Sequence, residues 1–395
     1  MRRHEFETVN QKTARIDGPK LALGVGTFSD DCELPGTLVA KILHSPHAHA
    51  RIRRIDASKA RALPGVAAVL THHEIARVRF SSAGQGVPEP SPYDMLILED
   101  KVRFVGDRVA AVAAVDERTA QKALSLIEVD YEVLPAIFDV DESTRPGAPV
   151  IHDEPDAERI HDAKNNVVAE IGADFGDPDK AFAEASWTFE RVYSVHAVQQ
   201  ASIEPHITLT WFDEDHRLNI RTATQVPYHV RRIVARVVGL PVKKVRVMKP
   251  RVGGGFGGKQ EILIEDLCAR LTLETGKPVR LEYDRAEECH AARTRHAHRV
   301  SMRAALDGDD RITAMSLEIL QNAGAYGTHS LTVMCVSGDK ALSLYRVPNL
   351  RFTGRSVYTN LPVGGAFRGY GAPQGYFPLE SFMDHVFSKK LILVP

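Results

Sequence analysis

Between Gly253 and Gly258 the chain sets five glycines around one phenylalanine, in Val252-Gly-Gly-Gly-Phe-Gly-Gly-Lys-Gln260. Glycine weakens helices and strands but admits backbone that other residues avoid, so this stretch reads as a loop where the main chain approaches something closely. Its flanks are regular. Val230, Ile233, Val234, Val237 and Val238 recur at helical spacing with Arg231, Arg232 and Arg236 outside them, and Gly239 and Pro241 end that helix. A strand over 242–249 leads into the glycines; Leu263, Ile264, Leu267, Cys268 and Leu271 give a second helix that stops at Gly276. The unit is strand, glycine loop, helix. Unobstructed N–H groups at a helix N-terminus cradle an anion or an oxo ligand.

The letters fit two phosphate-binding patterns. Gly253, Gly255 and Gly258 match G-x-G-x-x-G, and Gly253, Gly258 and Lys259 match the first seven positions of the Walker A loop. Gln260, however, stands where the Walker loop needs a hydroxyl for magnesium. A dinucleotide fingerprint opens the first βαβ unit and has an acid about 20 residues on, whereas this loop lies mid-chain behind Pro250. A P-loop nucleotide-binding protein stays as a remote alternative, and a tight turn that merely needs glycine as a ligand-free one. A second irregular stretch is Gly364-Gly-Ala-Phe-Arg-Gly-Tyr-Gly-Ala-Pro-Gln-Gly375. Arg368, between aromatics and glycines, offers a fork of donors suited to a phosphate or polar heterocycle, or else packs the loop.

Charge and cysteine usage remove other classes. With 50 Lys+Arg against 51 Asp+Glu in 395 residues the net charge is -1, which gives no field for nucleic acid or an anionic membrane. The longest apolar run, Val109–Val115, is far short of the ~20 residues that span a bilayer. The start, Met-Arg-Arg-His-Glu-Phe-Glu, lacks the apolar core of a signal peptide, so a cytoplasmic setting is expected. Cys32, Cys268, Cys289 and Cys335 lie far apart with no C-x-x-C pair, so any iron–sulfur cluster must sit on another chain. The histidine groups (His44, His47 and His49; His72 and His73; His290, His296 and His298) lack a carboxylate or cysteine at zinc spacing. His47 and His49 read as one strand face, and all three groups as domain or subunit contacts. Asp307-Gly-Asp-Asp310 reads as a hairpin turn.

The fold class is α+β. Residues 1–136 alternate strands (38–43, 66–71, 108–115, 128–134) with helices over 59–63, capped by Ser58, and 117–127, capped by Asp116. Residues 137–186, rich in Asp, Pro and Gly, read as a surface linker and the start of a second domain, whose strands at 187–196 and 206–212 open the remainder to 395.

Taken together, Val252-Gly-Gly-Gly-Phe-Gly-Gly-Lys-Gln and Ala366-Phe-Arg-Gly-Tyr-Gly-Ala-Pro-Gln resemble the molybdenum-binding subunit of the xanthine dehydrogenase/aldehyde oxidase family. Ser45-Pro-His-Ala-His-Ala-Arg-Ile, Leu63-Pro-Gly-Val, Gly106-Asp-Arg-Val, Ile203-Glu-Pro-His, Ala223-Thr-Gln, Arg295-His and Gly324-Ala-Tyr extend the likeness from about Arg15 to Asp384. The resemblance implies an α/β hammerhead domain (1–136), then the first part of a molybdopterin-binding domain (187–395), incomplete at its C-terminus. It implies a molybdenum–molybdopterin cofactor, in its cytosine dinucleotide form, with [2Fe–2S] clusters and FAD on partner subunits. The chemistry it implies is insertion of water-derived oxygen at an electron-poor carbon, with a glutamate as general base.

By the same resemblance Gln225 hydrogen-bonds the metal's oxo ligand, while Gly255, Phe256 and Gly257 bring backbone to that region. Arg368 lies beside the cofactor, and the metal has no direct protein ligand. Tyr370 flanks a planar substrate. Gln260 stands where xanthine-oxidising animal enzymes place a glutamate, and Arg295 matches their arginine that offsets charge developing on the heterocycle. An aldehyde develops no ring charge, so Arg295 favours an N-heterocycle: a purine such as xanthine or hypoxanthine, or a nicotinate-type ring.

The family's late Gly-Glu-Pro segment is missing. Glu89-Pro90 and Glu154-Pro155 lie elsewhere and lack the glycine. No catalytic residue is therefore assigned in this chain. After Asp384, His385-Val-Phe-Ser-Lys-Lys-Leu-Ile-Leu-Val-Pro395 departs from the continuing amphipathic helix the family has there. Two expectations follow: a second chain supplies the rest of the molybdenum domain, or the product is a truncated, non-catalytic fragment or scaffold. The apolar tail Leu391-Ile-Leu-Val-Pro395 tips the reading towards truncation.

Overall fold

The structure, a computed structural model, describes residues 9–83, 86 and 90–393, the side chains of 389–393 excepted. The first residues of the signal-peptide reading, Glu89, and the end of the apolar tail fall outside the described residues.

A seven-stranded mixed sheet joins the two halves of the chain. In chain order its strands are β1 (Leu38–His44), β3 (Val66–Leu70), β4 (Arg108–Ala114), β8 (Ile207–Phe212), β9 (Leu218–Thr222), β10 (Val245–Met248) and β11 (Val279–Glu282). Their spatial order is β10-β9-β8-β11-β1-β4-β3. The seam is β1 on β11, parallel, with Leu38 opposite Val279 and Ala40 opposite Leu281. Residue 136 thus ends a chain segment but does not divide this sheet. One core runs across the seam: Leu38, Ile42 and Leu70 pack with Leu218, Val234, Leu267 and Leu271, each worth about 1.5–3 kcal/mol when buried. A small sheet of the N-terminal segment pairs β2 (Ala50–Asp56) antiparallel with β5 (Glu128–Val133) and with Lys101–Val102.

The second sheet has five strands: β6 (Val167–Phe175), β7 (Trp187–Val195), β13 (His298–Leu306), β14 (Ile312–Gly324) and β15 (Asn349–Tyr358), in the order β6-β15-β14-β13-β7. Helices α4 (Ser330–Leu342) and α5 (Ala372–Leu393) cover it, burying Met334, Leu379, Phe382 and Val386 against Leu317, Ile319 and Phe352. Between β13 and β14, Asp307 Oδ1 accepts the N–H groups of Asp309 and Arg311, both at 2.9 Å, closing the expected hairpin. A two-residue parallel ladder, β12 (Thr294–Arg295) on β16 (Gly364–Gly365), lies next to the glycine loops.

Several local expectations are corrected. The stretch 137–186 is a surface linker only in part: Ile151 and His152 are buried, and Lys101 Nζ and Arg103 Nη2 reach Asp153 (2.6 Å) and Glu154 (2.6 Å). Although burial opposes it, Arg103 and Lys101 hold the Glu154 carboxyl down to about 2. β6, within the same stretch, forms an edge of the five-stranded sheet. Ser58 lies inside its helix (Ser58–Arg61) rather than capping it, because Asp56 Oδ1 accepts the Ser58 N–H at 3.0 Å. Asp116, by contrast, does cap α1 (Glu117–Leu124), accepting from the Thr119 N–H. His47 and His49 share no strand, since β2 begins at Ala50. The helix expected to break after Asp384 continues to Leu393.

Candidate functional site

The first glycine loop lies between β10 and α3 (Glu265–Thr275), but not at the helix N-terminus: residues 259–264 intervene. Its fold is set by Glu204. The Glu204 carboxylate accepts the Gly253 N–H at 2.8 Å and Lys259 Nζ at 2.8 Å, and the lysine also donates to the Glu204 carbonyl at 2.8 Å. The Lys259 side chain is 1% exposed, so its amine is consumed inside the protein and offers nothing to a phosphate. This overturns the P-loop alternative, which needs that amine on a nucleotide.

Gln225, just before α2 (Pro227–Val237), is held by its own N–H on the Lys259 carbonyl at 2.8 Å. Its Oε1 accepts the Gly257 N–H at 3.0 Å, which commits the amide's acceptor and leaves Nε2 as the donor for a ligand. The closeness demands glycine. A Cβ on Gly255 would stand 2.6 Å from Gln225 Oε1, and one on Gly257 (φ +102°) 2.7 Å from the Ala366 carbonyl. Phe256 itself sits at φ +50° with its ring half-exposed.

The second glycine loop lies edge to edge with the first. The Arg368 N–H donates to the Phe256 carbonyl at 2.7 Å, and Gln200 Nε2 donates to the Ala366 carbonyl at 2.8 Å. Together they enclose a cavity of about 200 Å³. Gln225, Phe256, Gly257, Gln260, Arg368 and Tyr370 line it. Gly255 backs it through its contact with Gln225. Arg295 does not line it: Nη1 donates to Gln374 Oε1 at 2.9 Å, Nη2 to the Arg368 carbonyl at 2.9 Å, and the guanidinium lies 4.0 Å from the Phe367 ring centroid. A larger cavity of about 430 Å³ lies between β6, β15 and α4, lined mainly by apolar side chains such as Ile171, Phe175, Leu342, Leu350 and Phe352.

These residues fit an oxo-bearing group on a flat organic carrier. The cradle is backbone that any Cβ would fill, and its side-chain donor at Gln225 is neutral and oriented. Among the described residues no group of three or more His, Cys, Asp or Glu is placed to ligate a metal ion.

Sequence reasoning missed the groups that hold the loops together: Gln200, and a buried set behind Gln260 made of Glu261, Arg293, Ser82 and His329. Glu261 accepts from Arg293 Nε at 2.5 Å and Ser82 Oγ at 2.7 Å. The only local signal was a charged residue, Glu261, directly after a cavity residue.

Known proteins resemble the chain over nearly all of its length. Residues 23–135 match the aldehyde oxidase and xanthine dehydrogenase a/b hammerhead domain, and residues 160–391 the molybdopterin cofactor-binding domain. The chain is 41% identical to "Probable hypoxanthine oxidase XdhD" of Escherichia coli K12, over 95% of its own length and 42% of that protein's. It is 33% identical to the nicotinate dehydrogenase large molybdopterin subunit of Eubacterium barkeri, covering 96% of this chain and 86% of that one. Among solved structures, the aldehyde oxidoreductase of Desulfovibrio gigas superposes with a TM-score of 0.85 at 29% identity, over 95% of this chain and 41% of that one. The chain therefore spans about half the length of several of the relatives it matches.

Proposed function

The chain belongs to the xanthine dehydrogenase/aldehyde oxidase family of molybdopterin-binding subunits, and from that premise we propose that it builds one side of the molybdenum site of a dehydrogenase oxidising an N-heterocycle, a purine such as xanthine or hypoxanthine. The observation that carries the reading is the cavity where both glycine loops present Gln225, Phe256, Gly257, Gln260, Arg368 and Tyr370 to one small volume.

When bound, the molybdenum–pterin group supplies a two-electron acceptor and water-derived oxygen. The chain's own residues orient and enclose. Gln225 Nε2 donates towards the oxo side of the site, with its tilt fixed by Gly257. The ring of Tyr370, and that of Phe256 across the loop contact, make apolar walls that favour a flat heterocycle and exclude water. Gln260 brings a neutral amide to the cavity lining, without acid–base chemistry. Arg368, exposed at the mouth, suits an anionic group of the cofactor. Arg295 acts one layer back, by holding the loop that carries Phe367 and Arg368.

The purine reading draws on the hypoxanthine oxidase likeness, and the nicotinate likeness keeps the wider N-heterocycle class. The general-base glutamate that the family likeness implies is assigned to no residue of these 395, which are 33% identical to 86% of a relative named as a large molybdopterin subunit. The cofactor is the cytosine dinucleotide form, with iron–sulfur and FAD subunits as electron carriers, in the cytoplasm. Among the described residues no helix is long and apolar enough to cross a membrane. The test is dye reduction by the complex purified from its native host, with hypoxanthine, xanthine, nicotinate and an aldehyde in parallel. Reduction with a purine and none with the aldehyde supports the reading; reduction with the aldehyde alone refutes it.

A further inference from the structure

Tyr370 forms its wall of the cavity from strained backbone. Its φ is +44°, between Gly369 and Gly371, both at +96°. A non-glycine residue held there costs about 1–3 kcal/mol and stays only where its surroundings over-determine it. Those surroundings lie on α4 and its cap. The Tyr370 hydroxyl shares one 2.7 Å hydrogen bond with Thr332 Oγ1 and another with His329 Nδ1, and the two rings meet edge-on at 5.4 Å.

His329 is itself enclosed, with its side chain 1% exposed and Nε2 3.7 Å from Glu261 Oε1. Glu261 is equally buried. Against the cost of burial, Arg293 and His329 keep its carboxyl below the ordinary carboxylate range, and Ser82 from the N-terminal segment donates to its other oxygen at 2.7 Å. Glu261 follows Gln260 directly in sequence. One line of contacts therefore starts beside Gln260 on the first glycine loop and ends on the Tyr370 hydroxyl of the second.

We propose that His329 is a positioning residue for the cavity: braced by Glu261, it ties down the Tyr370 hydroxyl and fixes that ring as the wall for a planar heterocycle. It deepens the functional reading above and rests on it only for the identity of the ligand. The brace is a property of the apo chain and can be read there.

The test is a double-mutant cycle on the full chain, following hydrogen exchange of the amides of residues 366–371 in wild type, His329→Gln, Tyr370→Phe and both together. Each single substitution should speed exchange in that loop about tenfold, the double no more than either, with α4 and the five-stranded sheet unchanged. Unchanged exchange in His329→Gln, or effects that add in the double, overturns the proposal. Should His329→Gln not fold, Tyr370→Phe and Thr332→Val decide, since a loop that ignores both needs no brace. In the assembled complex, His329→Gln should raise KM for the heterocycle several-fold while kcat holds; an unchanged KM contradicts the brace. A complex that oxidises no heterocycle refutes the functional reading, while the exchange cycle still decides the role of His329.

Discussion

Arg295 spreads its guanidinium 4.0 Å from the centre of the Phe367 ring while both arms of its fork are spent, on Gln374 and on the Arg368 carbonyl. Its charge supports the wall of the cavity. Arg295→Lys keeps the charge and loses the fork, so it should cost about 1.5–3 kcal/mol in denaturant unfolding and lower kcat/KM in the complex. If the arginine's task were only to offset substrate charge, the lysine variant would keep full stability.

Gly257→Ala tests the cradle. Its φ of +102° and a Cβ 2.7 Å from the Ala366 carbonyl leave no cheap adjustment, because the obstacle is backbone. Unfolding should lose roughly 1–3 kcal/mol and bound molybdenum should be lost with it. Gly276→Ala, also at positive φ but with open space around it and far from the cavity, should leave the metal in place.

Lys259 and Glu204 form a buried pair whose members answer to each other. Lys259→Met strands the Glu204 carboxylate and should cost about 3–5 kcal/mol, with Glu204→Gln in the same chain recovering part of it. ATP should not bind wild type or variant, as followed by equilibrium dialysis.

The acid response has two opposed parts. Burial pushes His296 down to about 4 and His298 to about 3, below the ~6.5 of an unfolded histidine. The unfolded chain therefore takes up protons first, and their contribution, full above pH ~6.5, is lost as pH falls towards those values. Burial pushes Asp94 the other way, up to about 6, so folding loses stability as pH rises from ~4 to about 6. His298→Gln should flatten the acid arm of a stability-against-pH curve, and Asp94→Asn should steepen it. Parallel curves would contradict both assignments.

What was legible in the sequence was local. The spacing of Val230, Ile233, Val234 and Val237 gave α2, and Gly276, at φ +65° with its N–H on the Thr272 carbonyl, ended α3 as read. The glycine loops announced themselves because only glycine tolerates such approaches. The seam between β1 and β11 was not legible, because it pairs Leu38 with Val279 and no local pattern specifies so distant a partner. The same holds for the brace. Ser82, Glu261, Arg293 and His329 come from four separate segments, and each alone reads as an ordinary polar residue. Arg295 stood out in the sequence, but its bonds to Gln374 and the Arg368 carbonyl did not, since an arginine that faces a ligand and one that holds the loop behind it look alike in a sequence.

The two glycine loops are read as one side of a molybdenum site. The site is tested most directly by measuring molybdenum and polypeptide content together in the complex isolated from the native host. Stoichiometric molybdenum is expected in the wild type, with the metal lost in Gly257→Ala. A complex without molybdenum, or metal that survives Gly257→Ala unchanged, would contradict it.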